Sequence, residues 1–412
     1  MYPSIFKNML LRLLLSLSVF SLGPVVACAN IDMDNTSQKE ERPNKNHKKI
    51  KVSIDESLLD NSQKETLGLP YPEGLQRIVV FEPNEEEDMK FNNHPQLVAF
   101  KGKLYATWVG HPIHEPSPES WVYYSYSEDG INWVKPIRVS PDGRASGGWI
   151  TDGNTLGCLF IVGDKANKTS NTEVALSTDG INWSSPQVLV TNAAPSESAR
   201  RLPSGRYIMV CHGLGKGDFA QVRKTRIMYT DAEDFLSGWT EADLPDVLPY
   251  NANEKEKVAR PVEASWYRRK DGNLVMLFRD LWFEAKDRTW KLLYSVSYDD
   301  GATWTTPSLT NIPDSDSMQC AGSFGKTCYF VNNPVPTRRR VPITIGISND
   351  GEFFEKMYLL RSTPQPRRYE GISKTEGYSY PGSVVWGNYL YVSYATNKED
   401  IEISRIPLSS LK

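Results

Sequence analysis

The chain has 412 residues and a formal net charge of −3 at pH 7. This near-neutral balance excludes both the basic composition typical of nucleic-acid-binding proteins and the strongly acidic composition of a solvating tail. Tryptophan and tyrosine are abundant, with 11 and 20 copies, and such residues fill interfaces between sheets or stack on sugar rings. Because the chain is near-neutral, we expect no nucleic acid among the partners of this protein.

The first 28 residues have the pattern of a bacterial export signal. Lys7 and Arg12 lie at the start of an apolar run, Leu10–Leu22, which is followed by Val25-Val26-Ala27-Cys28. The residues before Cys28 resemble a lipobox, which implies that Cys28 is lipidated and becomes the mature N-terminus. The alternative is an ordinary signal peptide, because residues 27–29 also form an A-x-A cleavage site. We expect a lipid-anchored, exported bacterial lipoprotein of the outer membrane, on its cell-surface or periplasmic face.

Residues 29–70 are polar and charged, which predicts a partly disordered tether between the membrane and a folded domain of residues 71–412. Export permits disulfides, and Cys320 and Cys328 are candidates to pair across neighbouring strands. Cys158 and Cys211 are expected to be small apolar residues inside the fold. No cysteine spacing indicates a zinc site, and we expect no metal or other cofactor.

One short pattern recurs along the rest of the chain. Its copies are Tyr124–Trp133, Val174–Trp183 and Tyr294–Trp304, with a weaker copy at Ile345–Phe354. Each copy alternates as a half-buried strand does, then reaches an Asp-Gly turn and ends at an aromatic residue. The pattern therefore predicts a repeated pair of strands joined by a tight turn.

The spacing of these copies indicates the number of repeats. The serines that precede the turns, Ser127, Ser177, Ser297 and Ser348, are 50, 120 and 51 residues apart, and the longest interval holds two units. We divide the chain into six units, 94–139, 148–190, 199–244, 261–309, 319–360 and 378–408. The last unit has only three strands, and a lone strand at residues 76–82 completes it and closes the ring. We predict an all-β fold, a six-bladed β-propeller, with seven blades as the alternative.

The Ser-x-Asp…Gly…Trp turn resembles the Asp box of sialidase-like β-propellers, and the resemblance covers roughly residues 75–408. It implies that the turn aspartates, Asp129, Asp179 and Asp299, are structural and lie away from the functional site. Because one fold supports many activities, the Asp boxes predict the fold and leave the reaction open.

Candidate site residues come from the starts of the innermost strands, which converge at the axis of a propeller. These starts carry His94, Arg260, Glu263 and Tyr380, and nearby loops add His111, Arg279, Arg340 and Lys398. Such a set of cations, imidazole and phenol suits an anionic sugar, because arginine binds a carboxylate or sulfate with two parallel hydrogen bonds.

Sialidases, which share the Asp boxes, use an arginine triad, a Tyr/Glu nucleophile pair and an acidic Asp. The resemblance implies that Arg260, Arg279 and Arg340 form an arginine cluster and that Glu263 and Tyr380 form the pair. The Arg-Ile-Pro motif of that family is missing, and Asn93-His94-Pro95 stands in its place. This replacement argues against true sialidase activity.

Propeller lyases such as ulvan lyases use one or two histidines of the first blade with a tyrosine and an arginine. His94 and His111 are 17 residues apart in the first unit and resemble this pattern. Elimination from a uronate needs a base for the C5 proton, a cation for the carboxylate and an acid for the leaving oxygen at C4. Histidine is the side chain that titrates near neutral pH.

The leading hypothesis is a carbon–oxygen lyase, either a polysaccharide lyase or an oligosaccharide dehydratase, that acts on a uronate-containing oligosaccharide and gives a 4,5-unsaturated uronate. The expected roles are His94 as base, His111 or Tyr380 as acid or partner, and Arg260, Arg279, Arg340 and Lys398 as ligands of a carboxylate or sulfate. One alternative is an exo-acting glycoside hydrolase, sialidase-like or rhamnosidase-like, that uses Glu263 and a neighbouring acid. The other is a non-catalytic glycan-binding lipoprotein. We expect a monomer whose partner is an oligosaccharide.

Overall fold

Almost all regular structure in this protein is β-strand. The computed structural model describes residues 49–86, 89–115, 117, 119–214, 223–245, 261–280 and 288–412. These ranges contain only short 3-10 turns besides the strands, and no helix in them is long and apolar enough to cross a membrane. The predicted export segment with Cys28, and Arg260, lie outside the described residues.

Two short strands precede the first sheet, β1 (Ser53–Ile54) and β2 (Gln76–Phe81). Blade 1 then contains β3 (Phe91–Phe100), β4 (Lys103–His111), β5 (Trp121–Ser127) and β6 (Ile137–Arg138). Blade 2 contains β7 (Arg144–Thr151), β8 (Leu156–Asp164), β9 (Thr169–Ser177) and β10 (Gln187–Val190). Blade 3 contains β11 (Ala194–Pro195), β12 (Arg200–Arg201), β13 (Tyr207–Leu214), β14 (Arg223–Thr230) and β15 (Thr240–Glu241).

The second half of the chain repeats this arrangement. Blade 4 contains β16 (Pro261–Arg268), β17 (Leu274–Asp280), β18 (Lys291–Ser297) and β19 (Ser308–Pro313). Blade 5 contains β20 (Cys320–Phe324), β21 (Thr327–Asn332), β22 (Ile343–Ser348) and β24 (Lys356–Arg361), with β23 (Phe353–Phe354) beside it. Blade 6 contains β25 (Tyr378–Trp386), β26 (Tyr389–Thr396) and β27 (Asp400–Pro407), together with β2. The six-bladed propeller predicted from the sequence is confirmed.

The ring closes by joining the two ends of the propeller. β2 pairs antiparallel with β27, so that Gln76 lies opposite Arg405 and Ile78 lies opposite Ile403. The lone strand predicted to complete the last unit therefore does so. Closure of this kind removes two sheet edges that would otherwise expose unpaired backbone groups.

The Asp-box turns form as the sequence predicts. In the first copy the Ser127 hydroxyl donates to Asp129 at 3.0 Å and accepts the Gly130 N–H at 2.8 Å. The Asp129 carboxylate accepts the N–H groups of Asn132 and Ile131, both at 2.8 Å, and these bonds hold its pKa well below the usual range. Gly130 adopts φ 73°, a conformation that glycine enters without steric cost.

The segment of residues 49–70, named the strap here, differs from the predicted tether. Ile50, Val52, Ile54, Leu67 and Leu69 are all buried and pack against blades 4 and 5. β1 also pairs in parallel with β23. Residues 49–70 therefore belong to the folded unit and not to the tether, because these spaced apolar residues pack onto two blades.

The cysteines within the described ranges are free and buried. Cys320 and Cys328 do not form the disulfide considered above. Cys320 pairs with Val331 across β20 and β21, whereas Cys328 pairs with Ser323, and the two thiols belong to different core clusters. They face opposite sides of blade 5, so their side chains cannot meet.

Candidate functional site

The innermost strands of blades 1, 4 and 6 each carry a β-bulge close to the axis. The register shifts between Asn93 and Gln96 in β3, between Val262 and Ser265 in β16, and between Ser379 and Gly382 in β25. The residues inside these bulges, His94, Glu263 and Tyr380, have φ values of 55°, 49° and 54°. This left-handed conformation is uncommon outside glycine, and bulges often redirect side chains beside functional sites. The bulges bring three side chains to one place.

Tyr380 lies at the centre of the resulting cluster. Its ring stacks on His94 with the centroids 4.2 Å apart and the planes inclined by 35°. The guanidinium carbon of Arg340 lies 5.2 Å, and Nζ of Lys398 lies 5.4 Å, from the Tyr380 ring centroid. Burial raises the pKa of Tyr380, and the charge of Glu263 raises it further, whereas the neighbouring arginines oppose both effects. The phenol is therefore protonated at neutral pH.

Glu263 is ionised and paired with Arg279. Burial alone would raise the pKa of Glu263, but the positive charge of Arg279, followed by electrostatic interactions with His212 and His94, lowers it to about 2. Arg279 also donates from Nε to Asp316 Oδ1 at 2.9 Å, and its Nη2 lies 2.9 Å from the same oxygen. Two carboxylates therefore share the charge of this one guanidinium.

Arg340 is buried like Arg279 but contacts neutral groups. Its Nη1 donates to the Ser379 hydroxyl at 2.8 Å, and its guanidinium faces the ring of Tyr380. Burial lowers the pKa of Arg340, and the charge of Arg279 adds to that effect. The charge of Arg340 is thus less compensated than that of Arg279, which makes Arg340 the better receptor for an anion.

Lys398 reaches the cluster from the turn between β26 and β27, where Asn397 and Lys398 have φ values of 58° and 56°. Its side chain is 5% exposed, and Nζ lies 3.6 Å from Glu115 Oε2. The same nitrogen lies 5.2 Å from the ring centroid of Phe91. Burial and then the charge of Arg340 lower the pKa of Lys398 to about 8. The amine is therefore charged at neutral pH and loses its proton in mildly alkaline solution.

His111 occupies the layer behind this cluster. It ends β4 opposite Phe91, and the two rings pack edge to face with their centroids 5.4 Å apart. Burial lowers the pKa of His111, and the charge of Glu115 partly opposes that effect. The imidazole is therefore neutral at pH 7 and lies beside the Glu115 loop.

A cavity of about 420 Å³ opens beside the cluster. Its polar lining includes His94, Glu115, His212 and Glu263. One of its carboxylates, Glu115, lies beside Lys398, and the other, Glu263, lies beside Arg279. A ligand in this cavity therefore meets two carboxylates and two imidazoles directly, and each carboxylate is paired with a cation of the cluster. Within the described ranges, no three His, Cys, Asp or Glu side chains are grouped so that they could hold a metal ion.

A family model of the BNR repeat-like domain matches residues 102–392. The chain belongs to this family. The matched range extends from β4 in blade 1 to β26 in blade 6, so it includes Glu263, Arg279, Arg340 and Tyr380 and leaves out His94 and Lys398.

Several solved structures resemble this BNR repeat-like protein in fold. A structure described as a sialidase aligns with a TM-score of 0.54 at 18% identity, over 87% of this chain but only 35% of its own. The NanB sialidase from Streptococcus pneumoniae gives 0.59 at 12% identity, over 81% of this chain and 71% of its own. A protein of unknown function from Dyadobacter fermentans DSM 18053 gives 0.61 at 16% identity, over 81% and 99%. Among curated protein sequences, none matches this chain. These similarities establish a sialidase-like propeller fold.

The site of this BNR repeat-like protein brings together most of the residues predicted from the sequence. The central cluster consists of His94, Glu263, Arg279, Arg340, Tyr380 and Lys398, with His111 behind it. Arg260 immediately precedes β16 and lies outside the described residues. The catalytic and binding roles of all these side chains stay predictions.

Two further residues of the cluster have no recognisable motif in the sequence. Glu115 follows β4 in the same loop as His114, and Asp316 belongs to a polar run between β19 and β20. Asp316 has φ 61° and also pairs with Arg288. The available signal is weak, because a polar run between two apolar strands is ordinarily a solvated turn.

Proposed function

We propose that this protein is an exo-acting glycoside hydrolase for glycans that end in a carboxylate-bearing sugar. The position of Tyr380, buried beside the ionised Glu263 with two cations over its ring, is the observation that carries the proposal. The volume of the adjoining cavity, about 420 Å³, lies toward the small end of the roughly 300–1,000 Å³ typical of ligand pockets. It suits a terminal sugar better than the middle of a chain.

Tyr380 is the proposed nucleophile. A carboxylate nucleophile would be repelled by a substrate carboxylate bound nearby, whereas a neutral phenol is not. Because burial raises the pKa of Tyr380, the hydroxyl needs a base to lose its proton, and the ionised Glu263 is the adjacent acceptor. The nearby cations then stabilise the phenolate as its oxygen attacks the anomeric carbon.

Arg340 and Lys398 are the proposed receptors for the substrate carboxylate. Both flank Tyr380, so a carboxylate held between them places the anomeric carbon near the phenol. Arg279 is engaged by Glu263 and Asp316, and its role is to fix Glu263 in an ionised state. The segment Asn93-His94-Pro95 stands in the place of the Arg-Ile-Pro motif that the sialidase resemblance implies, so the arginine of that motif is missing.

Glu115 is the proposed acid. It lines the same cavity as Glu263, and it donates a proton to the glycosidic oxygen as the bond from that oxygen to the anomeric carbon breaks. Glu115 then takes a proton from water as the oxygen of that water attacks the anomeric carbon. The bond from this carbon to the Tyr380 oxygen breaks, and the phenolate recovers the proton held by Glu263. After the two steps Glu115, Glu263 and Tyr380 have each returned to the protonation state in which they began.

A second candidate is elimination from a uronate, and the stacking of His94 on Tyr380 favours it. In this reaction His94 takes the C5 proton, the electron pair forms the C4–C5 double bond, and Tyr380 gives its proton to the departing oxygen at C4. Arg340 and Lys398 neutralise the carboxylate and so acidify the C5 proton. Loss of a sugar makes the protein a lyase, and loss of water makes it a dehydratase.

The two reactions are separated by incubating the full chain with aryl glycosides of sialic and glucuronic acid and with uronate-containing oligosaccharides. Released phenol and new reducing ends report hydrolysis, and ultraviolet absorbance of the conjugated double bond reports elimination. Hydrolysis should be abolished by Tyr380→Phe and only reduced by His94→Ala. Elimination should be abolished by His94→Ala.

Products with a double bond would overturn the hydrolase proposal in favour of the second candidate. Binding of these sugars without any change in mass, at all pH values tested, would refute both and indicate a glycan-binding module. Calorimetric titration of the same panel separates that outcome from a failure to recognise the sugar.

A further inference from the structure

We propose that a second cavity, between blades 4 and 5, binds another anionic sugar of the same glycan, an inference that rests on the proposed function. This outer cavity has a volume of about 610 Å³. It is lined by Lys64 of the strap, by Trp290 and Lys291 at the start of β18, and by Arg339 in the loop between β21 and β22.

The outer cavity opens at the same end of the propeller as the site. In a four-stranded antiparallel blade, the first and third strands begin at one end of the blade, and the fourth strand finishes at that same end. Glu263 lies near the start of β16, Trp290 directly precedes β18, and Pro313 ends β19 and also lines the outer cavity. One bound oligosaccharide can therefore occupy both cavities without crossing the propeller.

Arginines extend from the cluster around Tyr380 to the outer cavity. In the loop after β21, Arg340 faces Tyr380 and Arg339 lines the outer cavity. Arg338, in the same loop, has Nε 3.9 Å from Asp316, which also pairs with Arg279 of the cluster. Arg288 pairs with the same Asp316, and its guanidinium lies 5.3 Å from the ring centroid of Trp290. Successive negative charges of a glycan would meet positive charge along this whole path.

The lining of the outer cavity suits a sugar ring. Trp290 offers a flat apolar surface, and the partly apolar rest of the wall, including Val335, matches the hydrophobic face of a pyranose. Lys64, Lys291 and Arg339 supply charge for a carboxylate or sulfate. Arg339 is also paired with Glu65, but both side chains are more than 40% exposed, and such exposed pairs are weak enough for a ligand anion to replace the carboxylate.

The strap therefore has a role beyond covering the core. Leu67 buries its side chain under the outer cavity, and this anchors the turn that presents Lys64. The preferred substrate class that follows is an oligosaccharide with an anionic group on more than one sugar, which binds more tightly than a glycoside with a single charged residue.

The test measures binding in the inactive Tyr380→Phe variant of the full chain, by calorimetric titration with a uronate monosaccharide and with uronate oligosaccharides of increasing length. Adding Trp290→Ala should weaken oligosaccharide binding roughly three- to tenfold, the range expected for a lost stacking ring, and leave monosaccharide binding unchanged. Lys64→Ala with Lys291→Ala should act in the same direction and flatten the salt dependence. Trp290→Phe should restore most of the affinity.

Matched controls are Phe353→Ala, which removes an exposed aromatic residue beside the Asp box, and Lys326→Ala, which removes an exposed lysine at the β20–β21 turn; neither should matter. The inference would be overturned if Trp290→Ala weakened monosaccharide and oligosaccharide binding equally. It would also be overturned if neither Trp290→Ala nor the double lysine variant weakened oligosaccharide binding. If Trp290→Ala does not fold, Trp290→Phe and the lysine pair decide. The outer-cavity variants could lose affinity for oligosaccharides alone while the unaltered chain turns over none of these sugars. That result would refute the proposed hydrolase and still support the outer cavity as a binding site.

Discussion

The imidazole of His94 and the phenol of Tyr380 stack with their centroids 4.2 Å apart, although the two residues belong to the first and last blades. Blade 6 is complete only when β2, from the N-terminal part of the chain, pairs with β27. Formation of this contact therefore depends on closure of the ring. The two bulges that carry the residues have backbone conformations that are tolerated only because closed neighbouring blades hold them in place.

The two buried arginines should respond differently to truncation. Arg279→Ala leaves the carboxylates of Glu263 and Asp316 buried without this partner, so we expect the free energy of unfolding to fall by about 3 kcal/mol or more. Arg340→Ala should weaken binding of a carboxylate sugar by at least about tenfold, since a hydrogen bond to a charged group contributes about 1.5–3 kcal/mol, with a smaller loss of stability. Urea unfolding and calorimetric titration measure the two effects.

An aldose without a carboxylate is the control ligand for these variants. If Arg340→Ala changed the unfolding free energy as much as Arg279→Ala and left carboxylate binding intact, the assignment of their roles would be wrong.

Lys398 should make anion binding dependent on pH. Its folded-state pKa is lowered to about 8 from the model-compound value of 10.5, so affinity for a carboxylate sugar should fall as the pH rises through about 8. The free energy of unfolding should respond to pH in the opposite direction to the binding affinity. Between about pH 8 and 10.5 the unfolded chain holds a proton that the folded chain has lost, so this group makes the free energy of unfolding increase with pH.

Lys398→Arg is the control, because a guanidinium keeps its charge throughout this range. It should remove the inflection near pH 8, and Lys398→Met should give weak binding at every pH. An unchanged inflection in the arginine variant would assign the titration to another group.

Glu115 is testable through the leaving group of the substrate. Glu115→Gln should reduce hydrolysis of unactivated glycosides by roughly 10²–10⁴-fold, the usual contribution of a general acid. A nitrophenyl glycoside needs little protonation to leave, so its first step should be nearly unaffected. Steady-state and burst kinetics of the two substrate types give the comparison, and equal losses for both would indicate that Glu115 positions Lys398 instead.

The fold was predictable because its signal is local and repeated. A turn such as Ser127 to Trp133 specifies its own hydrogen bonds, so each copy is visible in the sequence without its neighbours. The strap was not predictable in this way, because its charged residues dominate the composition while a few apolar ones, such as Val52, do the packing. The site residues were found by their position at strand starts. The bulges at Glu263 and Tyr380, and the pairing of Arg279 with Asp316, depend on contacts between distant blades and have no local pattern.

The glycines of the Asp boxes should be sensitive to substitution for two separable reasons. Gly180 has φ 75°, and a β-carbon added there would clash with the phenol of Tyr105 in the neighbouring blade, 2.6 Å from its Cζ. Gly102 has a similar φ of 79°, with nothing within 4 Å of an added β-carbon. Gly102→Ala should therefore show only the backbone cost, about 1–2 kcal/mol, whereas Gly180→Ala should add about 1–3 kcal/mol for overpacking.

Urea unfolding of both variants and of the double variant Gly180→Ala with Tyr105→Phe measures the difference. Removing the Tyr105 hydroxyl relieves part of the clash, so the double variant should recover part of the added loss. If Gly102→Ala proved as destabilising as Gly180→Ala, backbone conformation alone would explain the glycine in the turn. The contact between blades would then contribute nothing to the requirement for glycine.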